Sequence, residues 1–397
     1  MYKIVDLFSG AGGFSLGFTL TNQFEIVGAI DNWKPACDTF KFNHPHLDSN
    51  SIICADILAS QNSGEFLEYV KIWEKKGKVD VVMGGPPCQG MSLAGKRLSE
   101  DPRNKLFETF ITAVELLKPK VLIMENVPGL LSMNDGELNK AIIRRFNEIG
   151  YNHISDHPPK ILKAEMYGVP QIRRRLFYVA FRDGFNFKEF NWPPPATHYE
   201  WSNAKSQEAE YDLFGFNDSK LFKTVSVFDA ISDLPELKSG EGLEEVKYPQ
   251  IKRLLSDFQK YVKDWSTCPD INRDQLIYNH VAPNNSKELL ELISKAAPGD
   301  SVDPNYADSK KWHPEKPGFT VKALGAGGGS TNRRAFHYDR KTPRGSTVRE
   351  NARIQSFPDW YRFLGAKTHQ MTQVGNSVPP LLAYRIALEI ASSLRTR

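Results

Sequence analysis

The first 181 residues alternate short apolar runs with helix-patterned segments, and this alternation limits the folds open to the chain more than any other feature. Residues 2–7, 25–30, 51–54, 79–83, 121–124 and 175–181 read as strands. Helical patterns occupy 14–21, 35–42, 65–75, 106–117 and 138–149, the last closed by Gly150. Parallel strands need a crossover, usually a helix, between them, so the expectation is a doubly wound α/β fold: a mostly parallel sheet with helices on both faces. Sheets of this kind place their chemistry beyond the carboxyl ends of the strands.

The pattern changes after about Gly184. Trp192-Pro193-Pro194-Pro195 is a rigid break, 200–218 is an acidic, polar surface excursion, and Gly325 to Gly329 is nearly all glycine. Helical periodicity returns over 381–394 through Ile386, Ile390 and Leu394. The expected layout is a catalytic, cofactor-binding domain over 1–183, a smaller irregular domain over 184–370, and a segment over 371–397 that returns to the first domain. With 40% apolar and 25% charged residues in 397, the chain has the composition of a soluble globular protein with a sizeable core. No run is apolar for long enough to cross a bilayer, and strand-like sequence begins at Tyr2 with no signal-peptide core before it. Cys37, Cys54, Cys88 and Cys268 show no paired spacing, which argues against a zinc site or disulfide framework and for a reducing cytoplasm. The scattered histidines show no metal-binding pattern either. The net charge is +4, but residues 311–349 hold nine basic side chains against Glu315 and Asp339, a local +7 that leaves −3 for the rest. Such a belt suits a polyanion.

Five constellations carry chemistry. Asp6-Leu7-Phe8-Ser9-Gly10-Ala11-Gly12-Gly13 ends the first strand in a turn whose glycines let a cofactor approach the backbone. Ser15 stands where a dinucleotide fingerprint would place a third glycine, so a nucleoside cofactor without phosphates fits better than a pyrophosphate. Asp31 and Asp56, ending the second and third strands, are placed to accept from ribose hydroxyls and an adenine amino group, although a helix cap or surface charge explains each one singly as well. Gly84-Gly85-Pro86-Pro87-Cys88-Gln89 puts a thiol on a stiff turn past the fourth strand, and Glu125-Asn126-Val127 puts a carboxyl at the end of the fifth. A thiol and a nearby acid suit conjugate addition to a pyrimidine. In Gln171-Ile172-Arg173-Arg174-Arg175, strand alternation puts Arg173 and Arg175 on one face, where two guanidiniums can hold a phosphate and a base carbonyl. Arg349, Glu350 and Arg353 lie at helical spacing before Phe357-Pro358 and read as a buried ion-pair brace. Gly375-Asn376-Ser377-Val378-Pro379-Pro380 precedes the final helix, which Asn376 or Ser377 can cap.

Taken in order, these segments resemble the cytosine-5 DNA methyltransferases over nearly the whole chain. Asp101-Pro102-Arg103 with Leu106-Phe107 resembles that family's active-site loop region. The resemblance implies a methyltransferase-type doubly wound sheet with a smaller target-recognition domain, and transfer of a methyl group from S-adenosylmethionine to C5 of a flipped cytosine within a short duplex DNA sequence. It implies Cys88 as the nucleophile on C6, Glu125 at N3 and the exocyclic amino group, Arg175 at the base carbonyl and Arg173 at the adjacent phosphate. It also implies a cofactor pocket lined by Phe8, Ser9, Gly10, Gly12, Gly13, Asp31, Asn32, Asp56 and Pro86 and closed by Asn376 and Ser377. The chain departs from the family in Met91-Ser92, where Phe-Ser is usual, and in Asn32, which separates Asp31 from Trp33. A restriction-modification setting in a bacterium or phage is expected, with a cognate restriction endonuclease as a partner encoded nearby but not bound, and a monomeric, cytoplasmic enzyme. A tRNA-directed enzyme on the same scaffold is the nearest rival, and the long irregular segment argues against it. Intact Cys88, Glu125 and Arg175 argue against a non-catalytic DNA-binding relative. The absent third glycine argues against a nicotinamide-dependent oxidoreductase.

Overall fold

A computed structural model describes residues 1–87, 102–187, 189–201, 221–270, 272–303, 309–323 and 335–395. Cys88, Gln89, Asp101, most of the acidic excursion and the Gly325 to Gly329 run lie outside the described residues.

Strands β1 (Tyr2–Leu7), β2 (Phe24–Asp31), β3 (Ile52–Cys54), β4 (Val81–Gly84) and β5 (Val121–Asn126) are joined through helices α1 (Gly13–Thr19), α2 (Lys34–Asn43), α3 (Ile57–Ser63), α4 (Glu65–Glu74) and α5 (Pro102–Leu117). After α6 (Glu137–Glu148) come β6 (Lys160–Lys163), β7 (Gln171–Ile172) and β8 (Arg174–Phe181). The central sheet has the order β3-β2-β1-β4-β5-β8-β6. β1 pairs in parallel with both β2 and β4, so the chain leaves β1 toward one edge and returns on its other side. That reversal opens a crevice beyond the carboxyl ends of β1 and β4. β8 runs antiparallel to β5 and β6, which places residues 174–176 at the same end of the sheet as Glu125 and Asn126.

Alternation along each strand builds two cores. Ile4, Val81, Met83 and Ile123 face one side, with α1 and the C-terminal helix. Val5, Val82, Leu122 and Met124 face the other, with α4, α5 and α6. The sequence reading lacked α3 and β6. α3 buries little beyond Ile57 and Ser60, and β6 begins and ends on lysine, so neither shows a clear apolar period.

The second half contains α7 (Val227–Ile231), β9 (Gly242–Val246), α8 (Asp257–Val262), β10 (Ile277–Val281), α9 (Lys287–Lys295), β11 (Lys310–Lys311), β12 (Gly318–Phe319) and β13 (Ala335–Phe336). It ends in α10 (Val348–Ile354), α11 (Lys367–Asn376) and α12 (Pro380–Leu394). α12 lies tightly on α1: a Cβ at Gly17 would come within 2.4 Å of the Ala383 Cβ. Contacts with α2 and with the turn after β1 are made by residues before 371. Asn43 of α2 donates to the Arg362 carbonyl and accepts from the Arg362 amide, and the Tyr361 hydroxyl donates to the Ala11 carbonyl.

The α10 segment is the ionic brace its spacing suggested. Arg353 spans Asp233 and Asp359, Arg344 holds Glu350, and Arg349 donates to the Tyr278, Pro358 and Tyr361 carbonyls. Burial alone would raise the Glu350 carboxyl, but the Arg344 guanidinium and the histidines beside it hold it well below the usual range. This brace shortens the basic belt. Lys311, Arg344 and Arg349 are buried, while Lys316, Lys322, Arg340 and Lys341 are exposed. The Lys311 ammonium donates to the Ile293 carbonyl at the end of α9.

Candidate active site

The turn after β1 is held by β2. The Ser9 amide donates to the Ile30 carbonyl at 3.1 Å, and the Gly10 amide donates to Asp31 Oδ2 at 2.8 Å. Phe8, Gly10 and Gly12 all have positive φ, so the backbone curls back and opens the crevice floor. Asp31 Oδ1 accepts from the Trp33 amide at 2.8 Å, which fixes the carboxylate at the rim and leaves its remaining lone pairs for a ligand. Burial raises the Asp31 carboxyl, and its bonds to backbone amides oppose this. Below it, Asp6 accepts from the Ser15 hydroxyl at 2.6 Å and is 1% exposed. Burial lifts its pKa to about 7 against the pull of Ser15, and the charge of Asp31 adds to the rise.

The crevice is a cavity of about 810 Å³. Phe8, Ser9, Gly10, Gly13, Asp31, Asn32, Asp56, Pro86, Asn376 and Ser377 all line it, as do Glu125 and Arg175. Gly12 does not. Its Cβ position points at the Tyr361 hydroxyl, 2.7 Å away, and at Phe40, so this glycine serves close packing beneath the turn. Asp56 is exposed at the rim and caps α3 through the Ala59 amide at 3.0 Å, the bland role foreseen beside the binding one. Ser377 does not cap α12. Its hydroxyl donates to the Gln373 carbonyl, and the Ser356 hydroxyl accepts from the Leu381 amide instead.

At the other end of the cavity Glu125 meets Arg175. Glu125 stands opposite Phe177 in the β5–β8 ladder, which puts Arg175 at the diagonal position, and Arg175 Nε lies 2.9 Å from Glu125 Oε1. Both side chains are mostly buried, 14% and 17% exposed. Burial raises the Glu125 carboxyl; Arg175 and then Arg173 oppose it. Asn126 donates to the Pro86 carbonyl at 3.1 Å and so ties the turn that leads to Cys88 to the end of β5. Gly85 is needed for this approach, since a Cβ there would lie 3.1 Å from Glu125 Oε2.

Arg173 lies between β7 and β8 and does not reach the cavity. It is 1% exposed, and its guanidinium donates to the carbonyls of Val321, Gly375 and Ser377 at 2.9–3.1 Å. A role as phosphate ligand does not fit this placement, because the acceptors that the buried guanidinium bonds are all backbone carbonyls inside the fold. The burial cost bears on the charge itself and lowers the Arg173 pKa well below its usual value.

Sequence reasoning missed Trp33, Thr368, His369, Thr372 and Gln373 as cavity residues. Trp33 packs edge-on against His369 with ring centroids 5.5 Å apart, an apolar wall suited to a flat heterocycle. Trp33 could have been found as an aromatic just after a strand-end acid. The α11 residues carry no such signal.

Four carboxyl groups, Asp6, Asp31, Asp56 and Glu125, line the cavity beside one guanidinium, Arg175. That lining disfavours a pyrophosphate and suits a nucleoside that carries positive charge, so the residues present fit S-adenosylmethionine. The far end holds the paired Glu125 and Arg175 beside the turn that enters Cys88.

A family model described as C-5 cytosine-specific DNA methylase matches residues 2–392. The Type II methyltransferase M1.HphI of Haemophilus parahaemolyticus is 34% identical over 96% of this chain and 85% of its own length. M.DdeI of Desulfomicrobium norvegicum is 34% identical over 98% and 88%. Among solved structures, a prophage-encoded DNA modification methyltransferase from E. coli superposes with a TM-score of 0.72 at 24% identity over 98% of both chains. The S. pombe Dnmt2 methyltransferase does so with a TM-score of 0.53 at 18% identity, a likeness of fold. No helix among the described residues is long and apolar enough to cross a membrane. With this site at the switch point of its sheet, the chain belongs to the C-5 cytosine-specific DNA methylase family and is an S-adenosylmethionine-dependent DNA cytosine-5 methyltransferase.

Proposed function

We propose that Cys88, Glu125 and Arg175 carry the reaction, with a cytosine extruded from duplex DNA into the Glu125 end of the cavity. The observation that carries this reading is the Glu125–Arg175 pair, set beside the Gly85-Pro86-Pro87 turn on the same cavity as Asp31 and Trp33. Extrusion costs roughly a few kcal/mol and is unavoidable, because C5 and C6 are not reachable inside a stacked duplex. The Cys88 thiolate adds to C6, forming an S–C6 bond and shifting electron density onto N3. Glu125, protonated more readily than an ordinary glutamate because it is buried, donates to N3. Arg175 donates to the base carbonyl and holds the Glu125 carboxyl in place. C5 is thereby made nucleophilic. When bound, S-adenosylmethionine supplies an electrophilic methyl group on a sulfonium. A solvent-derived base then takes the C5 proton, the electron pair left behind re-forms the C5–C6 double bond and expels the Cys88 thiolate, and N3 returns its proton to Glu125.

In this reading Phe8, Ser9, Gly10, Gly13 and Pro86 shape the cofactor end, Asp31 takes the ribose hydroxyls, Asn32 and Asp56 hold its rim, and Asn376 and Ser377 close it. Residues 184–370 read the DNA sequence, with phosphate contacts from the exposed part of the basic belt. The chain acts as a monomer within a restriction-modification pair, and its cognate endonuclease acts separately on the same site. The test is a duplex carrying 5-fluorocytosine at a target site mapped by bisulfite sequencing of plasmid from expressing cells. Incubation with S-adenosylmethionine should trap a covalent complex, and peptide mapping should place the adduct on Cys88. Absence of a trapped complex, or transfer of label to tRNA and none to duplex DNA, would overturn the reading.

A further inference from the structure

Three buried polar side chains meet where three distant parts of the chain come together. Gln171 and Arg173 precede β8, the strand that carries Arg175. Gln355 ends α10. Gln171 Oε1 accepts from the Val321 amide at 2.9 Å, and its amide group donates to Gln355 Oε1 and to the Ile354 carbonyl. Gln355 Nε2 donates to the Val374 carbonyl at 3.0 Å and the Ser377 carbonyl at 2.7 Å. Arg173 donates to Val321, Gly375 and Ser377, so two side chains converge on one Ser377 carbonyl. The segments they hold also touch directly. β12 pairs in parallel with β7, and a Cβ on Gly375 would lie 2.4 Å from the Ala323 amide nitrogen and 2.7 Å from the Lys322 carbonyl oxygen. Residues 318–323 are therefore wedged between the strand that leads to Arg175 and the 375–377 segment, whose Asn376 and Ser377 line the cofactor cavity.

We propose that Gln171, Arg173 and Gln355 are positioning residues whose junction couples cofactor binding to DNA binding. The proposal rests on the reading of residues 184–370 as the DNA-recognition region, to which 318–323 and the exposed Lys322 belong. A ligand that orders 375–377 from the cavity side orders 318–323 through Arg173 and Gln171, and a ligand that orders 318–323 from the DNA side orders 375–377. Whichever binds first has already met the ordering cost of the shared body, so each strengthens the other by the same factor. The same bonds fix the start of the strand that presents Arg175, which explains a buried arginine with carbonyl partners and no carboxylate in contact among the described residues.

The test measures dissociation constants of S-adenosylhomocysteine with and without a duplex carrying the bisulfite-mapped site, and of that duplex with and without S-adenosylhomocysteine. The wild-type factor should be about 10-fold or more and equal in both directions. In Gly375→Ala and Arg173→Lys it should fall to about 3-fold or less, while each ligand alone binds within a few-fold of wild type. Variants with lowered thermal stability but the wild-type factor would show a merely structural junction and overturn the proposal. Should these variants not fold, hydrogen exchange on the wild type decides. S-adenosylhomocysteine should slow exchange of the Val321 amide, which bonds Gln171 and does not touch the cavity; an unchanged rate overturns the proposal. A wild-type enzyme that methylates DNA with a factor of one sinks this inference alone. One that is never trapped on fluorocytosine sinks the mechanism beneath it.

Discussion

Arg353→Met should be the most damaging single change far from the chemistry. Arg353 and both of its partners, Asp233 and Asp359, have fully buried side chains. The guanidinium donates to Asp359 at 2.6 and 2.8 Å, to Asp233 through both terminal nitrogens, and to the Ala230 carbonyl at 3.0 Å. Methionine fills much of the volume but leaves two buried carboxylates without their main counter-ion. Removing one partner of a buried ion pair costs about 3–5 kcal/mol. Here one arginine serves two acids, which would double the loss if nothing else reached them. Lys263 remains 3.5 Å from Asp233, and Asp359 keeps the Tyr248 hydroxyl at 2.8 Å and Arg349 at 3.9 Å, so the expected loss stays near about 4 kcal/mol. Urea unfolding at pH 7, followed by both far-UV circular dichroism and tryptophan fluorescence, would measure it.

The pH dependence gives an independent check. Burial raises Asp359, but Arg353 outweighs it and the folded-state pKa lies below the usual value. Wild-type stability from this group is therefore complete above the unfolded pKa of about 4 and is lost as pH falls through the lower folded value. In the variant burial acts with much less opposition, the folded pKa rises above the unfolded one, and acid relieves the destabilisation. The gap between wild type and variant should thus narrow from pH 7 to pH 4. A loss below about 1 kcal/mol at pH 7, or a gap that stays constant with pH, would refute the view of this cluster as a tightly charged brace.

Four further outcomes are expected. Cys88→Ser should abolish methylation while S-adenosylhomocysteine binding by calorimetry stays within about 2-fold, and lost cofactor binding would contradict the role given to Cys88. Glu125→Gln should lower kcat by about 10²- to 10⁴-fold in single-turnover assays, and unchanged turnover would remove Glu125 from the mechanism. Asp6 holds its proton to about pH 7 in the fold and loses it near pH 4 when unfolded, so wild-type stability falls across that window; Asp6→Asn should gain on wild type from pH 4 to pH 7 in denaturation midpoints and no further above it. Gly17→Ala should cost about 1–3 kcal/mol in urea unfolding despite the better helix propensity of alanine, because the added methyl meets Ala383 and the Pro380 carbonyl across the α1–α12 contact.

The parts of this protein that could be read from sequence are those set by local repeats. The strand runs from residue 2 to 124 carry period-two burial on both faces of one sheet, and their ends locate Asp31, Asp56 and Glu125 without knowledge of anything distant. Arg173 shows where local reasoning stops. Alternation pairs it with Arg175, but the difference between a ligand-facing and a braced arginine lies in Val321 and Gly375, 148 and 202 residues away. The basic belt fails for the same reason. Lys311, Arg344 and Arg349 add to a charge count as readily as Lys316 and Lys322, yet they face a helix end, a glutamate and three carbonyls inside the fold.

That asymmetry has a physical cause in how the cavity is divided. Its floor comes from strand ends, where the fold itself dictates which residue type can stand, and those residues announce themselves. Its closing wall comes from α11 and the segment after it, and these are aligned by contacts from α10, β7 and residues 318–323. Thr368, Thr372 and Gln373 are polar residues with no apolar period to mark them, and their place on the cavity depends on contacts made by distant segments. If the junction is what aligns this wall, changes in Gln171, Arg173 or Gln355 should lower the coupling between cofactor and DNA more than the rate of the chemical step, whereas changes in Glu125 or Arg175 should do the reverse. Separate measurement of S-adenosylhomocysteine affinity with and without duplex, and of single-turnover rate, across the five positions would distinguish the two groups. A mixture of both effects at every position would mean that wall and catalytic strand move as one unit.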